Sequence, residues 1–117
     1  MGYVDGFVLA VPRDRLDTYV TMARAMGEIW KEHGALAFVE CAADDVPYGE
    51  LTSFPRAVQA KEDETVIFSW IVYPSREVRD AVNAKVMKDP RVEAAFPDMP
   101  VDGKRMIIGG FRPVVEL

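Results

Sequence analysis

The stretch Thr65–Tyr73, TVIFSWIVY, decides the fold, because β-branched and aromatic residues dominate it and it contains no charge. Such a run favours extended backbone and predicts a strand within a sheet. Side chains alternate between the two sides of a strand, so Phe68 and Trp70 would point to one side and Ile67 and Ile71 to the other. Both sides of this strand are therefore apolar.

Helical segments are predicted on either side of this strand in the sequence. Upstream, apolar residues recur at helical spacing up to Gly34, a residue suited to the left-handed end of a helix, and Asp14 is a plausible N-cap. Downstream, Ser75 can cap a second helix, which Pro90 prevents from continuing. The predicted elements are strands at 3–11, 36–43, 65–73 and 104–115, helices at 16–33 and from 75 to about 89, a further helical turn at 90–96, a loop at 44–53 and an extended segment at 54–61.

The order strand, helix, strand, strand, helix, strand predicts an α+β fold of the ferredoxin-like type. In this βαββαβ arrangement the sheet is antiparallel and both helices lie on one of its faces. The 117 residues are near the usual size of a domain, half of them are hydrophobic, and 28% are charged. We therefore expect one domain over residues 1–117 with a single core.

The strands also predict that something covers the second face of the sheet. A sheet with helices on one face and water on the other should alternate apolar and polar residues. In the first strand, by contrast, Phe7 and Leu9 would point to one side and Val4 and Val8 to the other, so both sides are apolar. The same face of a second copy would cover this side, so a homodimer is predicted. The alternative is that the 44–53 loop and the C-terminal tail fold over the sheet.

The charge of the chain limits the partners that it could bind. The formal net charge is −5 and no cluster of Lys and Arg is visible, which opposes binding to nucleic acid or to an anionic membrane. No apolar run approaches the ~20 residues that cross a bilayer, and the first residues read as a strand rather than a secretory signal. The one cysteine, Cys41, excludes an intrachain disulfide, so a cytoplasmic location is predicted.

Several segments, spread over nearly the whole chain, resemble one family of small bacterial proteins. They are YVDGF at 3–7, WKEHGA at 30–35, LTSFP at 51–55, VIFSW at 66–70, KVMKDPR at 85–91 and DGKRMI at 102–107. These segments are similar to the YbaA-like family, whose function is unknown. The resemblance implies the fold of the dimeric α+β barrels, in which two ferredoxin-like sheets close face to face, and it implies no reaction.

Two titratable residues are candidates for acid–base catalysis. Glu40 stands inside a predicted strand, on the side that it shares with Phe38, and a buried carboxylate without a partner becomes a useful acid or base. The alternative is a structural role, in which Glu40 forms an ion pair with Arg105 or Arg112 or reaches the edge of the sheet. His33 is the only histidine and could serve as a general base, or it could only pack at the end of its helix.

A small-molecule pocket would also need apolar and cationic side chains. Trp30 and Trp70 would supply surface for a flat ligand, and Arg56 and Arg105 could bind its carboxylate. A single histidine cannot build a metal cluster, so no metal or cofactor is predicted. The first hypothesis is a homodimer with a pocket between helix, sheet and dimer mate that takes an apolar, carboxylated small molecule, either as a cofactor-independent enzyme or as a binder. The alternative is a non-catalytic dimeric binding or sensor module.

Overall fold

The computed structural model describes residues 2–117. Its strands are β1 (Tyr3–Pro12), β2 (Ala37–Ala42), β3 (Glu64–Tyr73) and β4 (Ile107–Phe111), and its helices are α1 (Leu16–His33), α2 (Phe54–Ala57), α3 (Arg76–Met87) and α4 (Pro90–Ala95). The four strands form one sheet in the order β2-β3-β1-β4, and every neighbouring pair is antiparallel. The predicted ferredoxin-like fold is therefore confirmed.

The first helix ends as the sequence predicts but begins differently. Gly34 adopts a φ of +127°, and its N–H donates to the Lys31 carbonyl at 3.1 Å, so the conformational freedom of glycine ends α1. The prediction that Asp14 caps this helix is wrong. Asp14 lies in a 3-10 turn over Arg13–Arg15, and no side chain caps the first turn of α1.

Side-chain caps begin both helices that follow β3. The Ser75 Oγ accepts a hydrogen bond from the Val78 N–H at 3.2 Å, as predicted for the start of α3. Asp89 caps α4 by accepting from the Arg91 N–H at 2.9 Å, and Pro90 fits the first turn because no backbone donor is needed there. Both caps satisfy donors that the helix itself leaves unpaired.

The prediction of extended backbone at 54–61 is wrong. The first four of these residues form α2, which the Ser53 Oγ caps by accepting from the Arg56 N–H at 3.1 Å. Pro55 is compatible with the helix because it stands in the first turn. This turn of helix brings the following residue, Val58, into a buried position over one end of the sheet.

The last strand is shorter than the predicted strand at 104–115. Before β4, the Lys104 N–H donates to the Asp102 carboxylate at 3.0 Å, which holds a turn instead of a strand. After β4, Pro113 has no N–H to donate to a neighbouring strand. The pairing of β4 with β1 therefore covers only the five residues of β4.

The side of the sheet that faces α1 and α3 carries the largest core cluster. Ile71 and Tyr73 of β3 pack there with Trp30 of α1 and with Val82 and Val86 of α3. Full burial of an aliphatic or aromatic side chain contributes about 1.5–3 kcal/mol, so this contact fixes both helices on one face. None of the helices described for residues 2–117 has the length and apolar character needed to cross a membrane.

The opposite side of the sheet carries one charged side chain, that of Glu64 at the end of β3, and Arg105 binds it. The rest of this side is uncharged and is called the open face below. Val58 covers one end of it by packing on Ala10 and Val66, whereas Phe68 and Phe111 remain 44% and 62% exposed. The alternative cover by the C-terminal tail is not found, because the apolar residues of that tail are themselves exposed. The open face consists of Val4, Gly6, Val8, Ala10, Ala37, Val39, Cys41, Val66, Phe68, Trp70, Val72, Ile107, Gly109 and Phe111.

Candidate functional site

Glu40 lies in the middle of β2, an edge strand, and points toward the helices. The Tyr19 hydroxyl of α1 donates a hydrogen bond to its Oε1, and Ser69 stands opposite it on β3. Burial raises the pKa of the Glu40 carboxyl above its usual value, and the hydrogen bonds to Tyr19 and Ser69 oppose this rise. Burial also raises the pKa of the Tyr19 hydroxyl, and the neighbouring Glu40 charge adds to the effect.

The predicted ion pair between Glu40 and an arginine is wrong. Arg105 binds Glu64 instead, and its two terminal nitrogens each lie 2.8 Å from a carboxylate oxygen. Arg105 thereby lowers the pKa of Glu64 to about 2. Arg112 forms no ion pair with any residue in the described part of the chain. The partner of Glu40 is thus the neutral hydroxyl of Tyr19 rather than a cation.

A groove of about 350 Å³ opens beside Glu40, between α1 and β2. The Phe38 ring packs directly on Gly27 in this groove, so closely that a Cβ on Gly27 would stand 2.6 Å from a ring atom. The part of the groove that α1 contributes was not predicted from the sequence. The signal was available, because the spacing of Arg24 and Lys31 places both on one face of the helix. The lining residues are Val20, Ala23, Arg24, Gly27, Glu28, Lys31, Phe38 and Glu40.

His33 lies at the C-terminal end of α1 and contacts the residue that caps α4. Its Nε2 is 3.0 Å from the Asp89 Oδ2, which also accepts from the Arg91 guanidinium at 2.7 Å. Arg91 and, secondly, His33 hold the pKa of Asp89 well below its usual range. The contact fits the structural role that the sequence left open for His33, and its role as a general base stays a prediction. Among residues 2–117 no group of three or more His, Cys, Asp or Glu side chains could hold a metal ion.

The two predicted ligand-binding arginines are occupied by groups of the protein. The Arg56 guanidinium donates to the carbonyls of Tyr48 and Gly49 at 3.0 Å each, and it lies 3.9 Å from the centroid of the Tyr48 ring. Arg105 is bound by Glu64. Arg56 uses Nε and Nη2 in these contacts, and binding of a ligand carboxylate by either arginine stays a prediction.

The two tryptophans lie on opposite sides of the sheet. Trp30 belongs to the core beneath the helices, with its ring centroid 6.0 Å from that of Phe38. Trp70 belongs to the open face, with its ring centroid 5.6 Å from that of Phe68, which in turn lies 5.8 Å from the Phe54 ring. The structure therefore distributes the predicted site residues over both sides of the sheet and does not gather them in one pocket.

The fold and the uncovered sheet define a ferredoxin-like α+β protein with one sheet face left open. The sequence matches, over residues 2–103, the family described as protein of unknown function (DUF1428), and the chain belongs to that family. The chain is also 56% identical over 116 residues to the uncharacterized protein YbaA of Escherichia coli and to that of Shigella flexneri, with 99% of each chain covered. The resemblance to the YbaA-like family is thereby confirmed.

Solved structures share this fold at low sequence identity. A dimeric ferredoxin-like protein from an uncultured marine organism is 11% identical and covers 100% of both chains, with a TM-score of 0.67. SnoaB, a cofactor-independent oxygenase from Streptomyces nogalater, is 10% identical over 99% of this chain and 96% of its own, with a TM-score of 0.64. A NIPSNAP family protein from Agrobacterium tumefaciens is 14% identical over 97% and 94%, with a TM-score of 0.63. At such identities the likeness establishes the fold and no shared reaction.

Proposed function

We propose that this chain works in the cytoplasm as a homodimer whose two open faces pack together and bind a flat apolar molecule between them. The observation that carries the proposal is the open face, which extends over four strands and is uncharged up to Glu64, whose charge Arg105 pairs at one end. A large exposed apolar surface on one chain marks an interaction site. The single cysteine fits a reducing compartment, and the net charge of −5 opposes binding to nucleic acid.

A second copy is the partner that fits this surface best. A charged partner would find no opposite charge on the open face, whereas another copy presents an equally uncharged surface. A two-fold axis lets the same patch contact itself, so no further complementary surface is needed. The dimeric ferredoxin-like protein from the marine organism, which shares the fold with a TM-score of 0.67, supports this assembly. The cover by Val58 is limited to one end and leaves most of the sheet available to a partner.

An aromatic strip on the open face supports the binding of a flat molecule. The rings of Phe54, Phe68 and Trp70 follow one another at centroid distances of 5.8 and 5.6 Å. Aromatic rings attract other flat apolar groups in stacked or edge-on arrangements. In a dimer, one strip from each protomer would border the space between the sheets, which gives such a ligand two surfaces to contact.

The assembly is tested by replacing Phe68 with Asp, which places a charge in the middle of the proposed interface. Phe96→Asp is the matched control, because Phe96 is 48% exposed compared with 44% for Phe68 but lies outside the sheet. Light scattering should give twice the 13.1 kDa of one chain for the wild type and the control. Phe68→Asp should give the mass of one chain. A wild type that is monomeric at micromolar concentration would refute the dimer.

The ligand is tested by native mass spectrometry of freshly purified protein. A dimer that carries an added small mass is expected, and Trp70→Ala should lose that mass while it stays dimeric. A wild-type dimer without added mass, which also fails to bind a naphthalene-based apolar dye, would contradict ligand binding between the sheets.

A non-catalytic dimeric binding or sensor module is the second candidate, and the polar contacts favour it. His33, Arg56 and Arg105 each contact other groups of the protein, and these contacts account for their positions without a substrate. A bare dimer in the mass spectrum would support this candidate over the first.

A further inference from the structure

We propose that the groove between α1 and β2 binds a small apolar monocarboxylate, held by Arg24 and by the protonated carboxyl of Glu40, so that binding takes up one proton. The groove lies on the helix side of the sheet, opposite the open face. The proposal therefore does not depend on the homodimer or on a ligand between the sheets.

The surroundings of Glu40 are those of a group that exchanges a proton. Its side chain is partly buried, and its Oε1 accepts from the Tyr19 hydroxyl. None of the ion pairs within residues 2–117 includes Glu40. A carboxylate without a cation gains from taking up a proton, and the resulting carboxylic acid becomes a hydrogen-bond donor. That donor opens onto the groove, where a ligand carboxylate would accept it.

Arg24 supplies the charge that a carboxylate ligand requires. It lines the groove together with Val20 and Ala23, and it follows Tyr19, which contacts Glu40, by five residues in α1. No ion pair of the described chain uses its guanidinium, in contrast to Arg105, which Glu64 binds. A guanidinium with free donors binds a carboxylate through two parallel hydrogen bonds.

The remainder of the groove fits an apolar body. Ala23, Gly27 and the Phe38 ring line it beyond Arg24, and the missing side chain at Gly27 lets the ring pack directly against the helix. The volume of about 350 Å³ is at the lower end of small-molecule pockets, which suits a single ring or a short chain. Glu28 and Lys31 line the far end with opposite charges and so leave no net charge there.

Glu40 is the group in this groove that takes up the proton on binding. The polar groups that face it are Tyr19, Arg24, Glu28 and Lys31 from α1 and Ser69 from β3. Burial raises the pKa of Glu40 above its usual value, and it also raises the pKa of Tyr19, so Tyr19 stays protonated. The proton taken up on binding comes from solvent, goes to the Glu40 carboxylate, and is then shared with the ligand carboxylate.

The experiment is a titration of the ¹⁵N-labelled full chain with phenylacetate at pH 5.5 and pH 8.0, followed by amide chemical shifts. Saturable shifts are expected at residues 20–31 and 37–41, and the dissociation constant should rise at least tenfold from the lower to the higher pH. The neutral analogue 2-phenylethanol should bind weakly and equally at both pH values. Shifts confined to the open face, or no saturable shifts at 20 mM phenylacetate, would overturn the proposal.

Variants separate this role of Glu40 from a structural one. Glu40→Gln keeps an N–H donor at the site, so this variant should still bind phenylacetate. Its dissociation constant should no longer depend on pH, whereas replacing a merely structural residue would leave that dependence in place. Arg24→Gln should weaken binding at least tenfold, while Arg76→Gln, a change on the exposed face of α3, should have no effect. Retention of the full pH dependence in Glu40→Gln would contradict the inference, even if phenylacetate still bound.

Discussion

Replacing Arg105 by Met tests a buried ion pair of the fold, the one between Arg105 and Glu64. In the wild type, the Glu64 carboxylate is 7% exposed, accepts from both terminal nitrogens of Arg105 at 2.8 Å, and accepts from the Lys61 N–H at 2.7 Å. Arg105 also donates to the Gln59 carbonyl at 3.0 Å. In Arg105→Met the buried carboxylate keeps only the backbone donor, and we expect the free energy of unfolding at pH 7 to fall.

Two independent arguments give the same magnitude for this loss. Breaking a buried ion pair by removing one partner costs about 3–5 kcal/mol. The pKa of Glu64 is lowered from the usual 4.5 to about 2, chiefly by Arg105 and to a smaller extent by Lys61, and the full shift corresponds to roughly 3 kcal/mol of stability, an upper bound for Arg105 alone. The expected loss is therefore about 3 kcal/mol. The double variant Glu64→Gln/Arg105→Met should lose only about 1 kcal/mol, because it buries no unpaired charge.

The pH dependence follows from the direction of the pKa shift. The folded-state pKa of Glu64 is lowered, so its contribution is complete above pH 4.5 and is lost as the pH falls toward 2. Urea unfolding of the wild type and of Arg105→Met, at one protein concentration, should differ by about 3 kcal/mol at pH 7 and by about 1 kcal/mol at pH 3. A difference below 1 kcal/mol at pH 7, or one that is unchanged at pH 3, would refute the reasoning.

Two further substitutions test the local structure by thermal unfolding. Gly27→Ala should lower the free energy of unfolding by about 1 kcal/mol, because a Cβ 2.6 Å from a Phe38 ring atom outweighs the better helix propensity of alanine. In the control Gly103→Ala the new Cβ meets no atom within 4 Å, so the free energy of unfolding should change by less than about 0.5 kcal/mol. A higher melting temperature for Gly27→Ala than for the wild type would contradict this account. Ser75→Ala removes the acceptor of the Val78 N–H and should cost about 1 kcal/mol, whereas Ser75→Asp should keep the cap and most of the stability.

Local sequence patterns are sufficient for most of the fold. The run TVIFSWIVY predicts β3 because its residue types favour a strand in any position, and Gly34 and Ser75 mark helix ends through contacts with their near neighbours. The segment 54–61 is predicted wrongly because a helix of one turn shows no periodicity. The Ser53-Phe54-Pro55 sequence, a cap followed by proline in the first turn, is the signal that could have identified it.

The candidate site is less accessible to such reasoning because its contacts are distant in sequence. Glu40 is conspicuous because it is a carboxylate in an apolar strand. Its partner, however, depends on which turn of α1 packs over β2. The turn that packs there carries Tyr19, so Glu40 contacts a hydroxyl instead of an arginine. His33 and Asp89 are separated by 56 positions, and nothing in the local sequence of either one predicts their contact. Helix packing, rather than spacing along the chain, determines both pairs.

The uncharged character of the open face also affects which chains a protomer would accept in the proposed homodimer. Related proteins in one cell commonly avoid mixed assemblies by opposing like charges across the wrong interface. The open face of this chain has no charge with which to repel a like charge on another chain. In the proposed homodimer, the shapes of its apolar side chains would therefore have to distinguish an identical chain from a homologue.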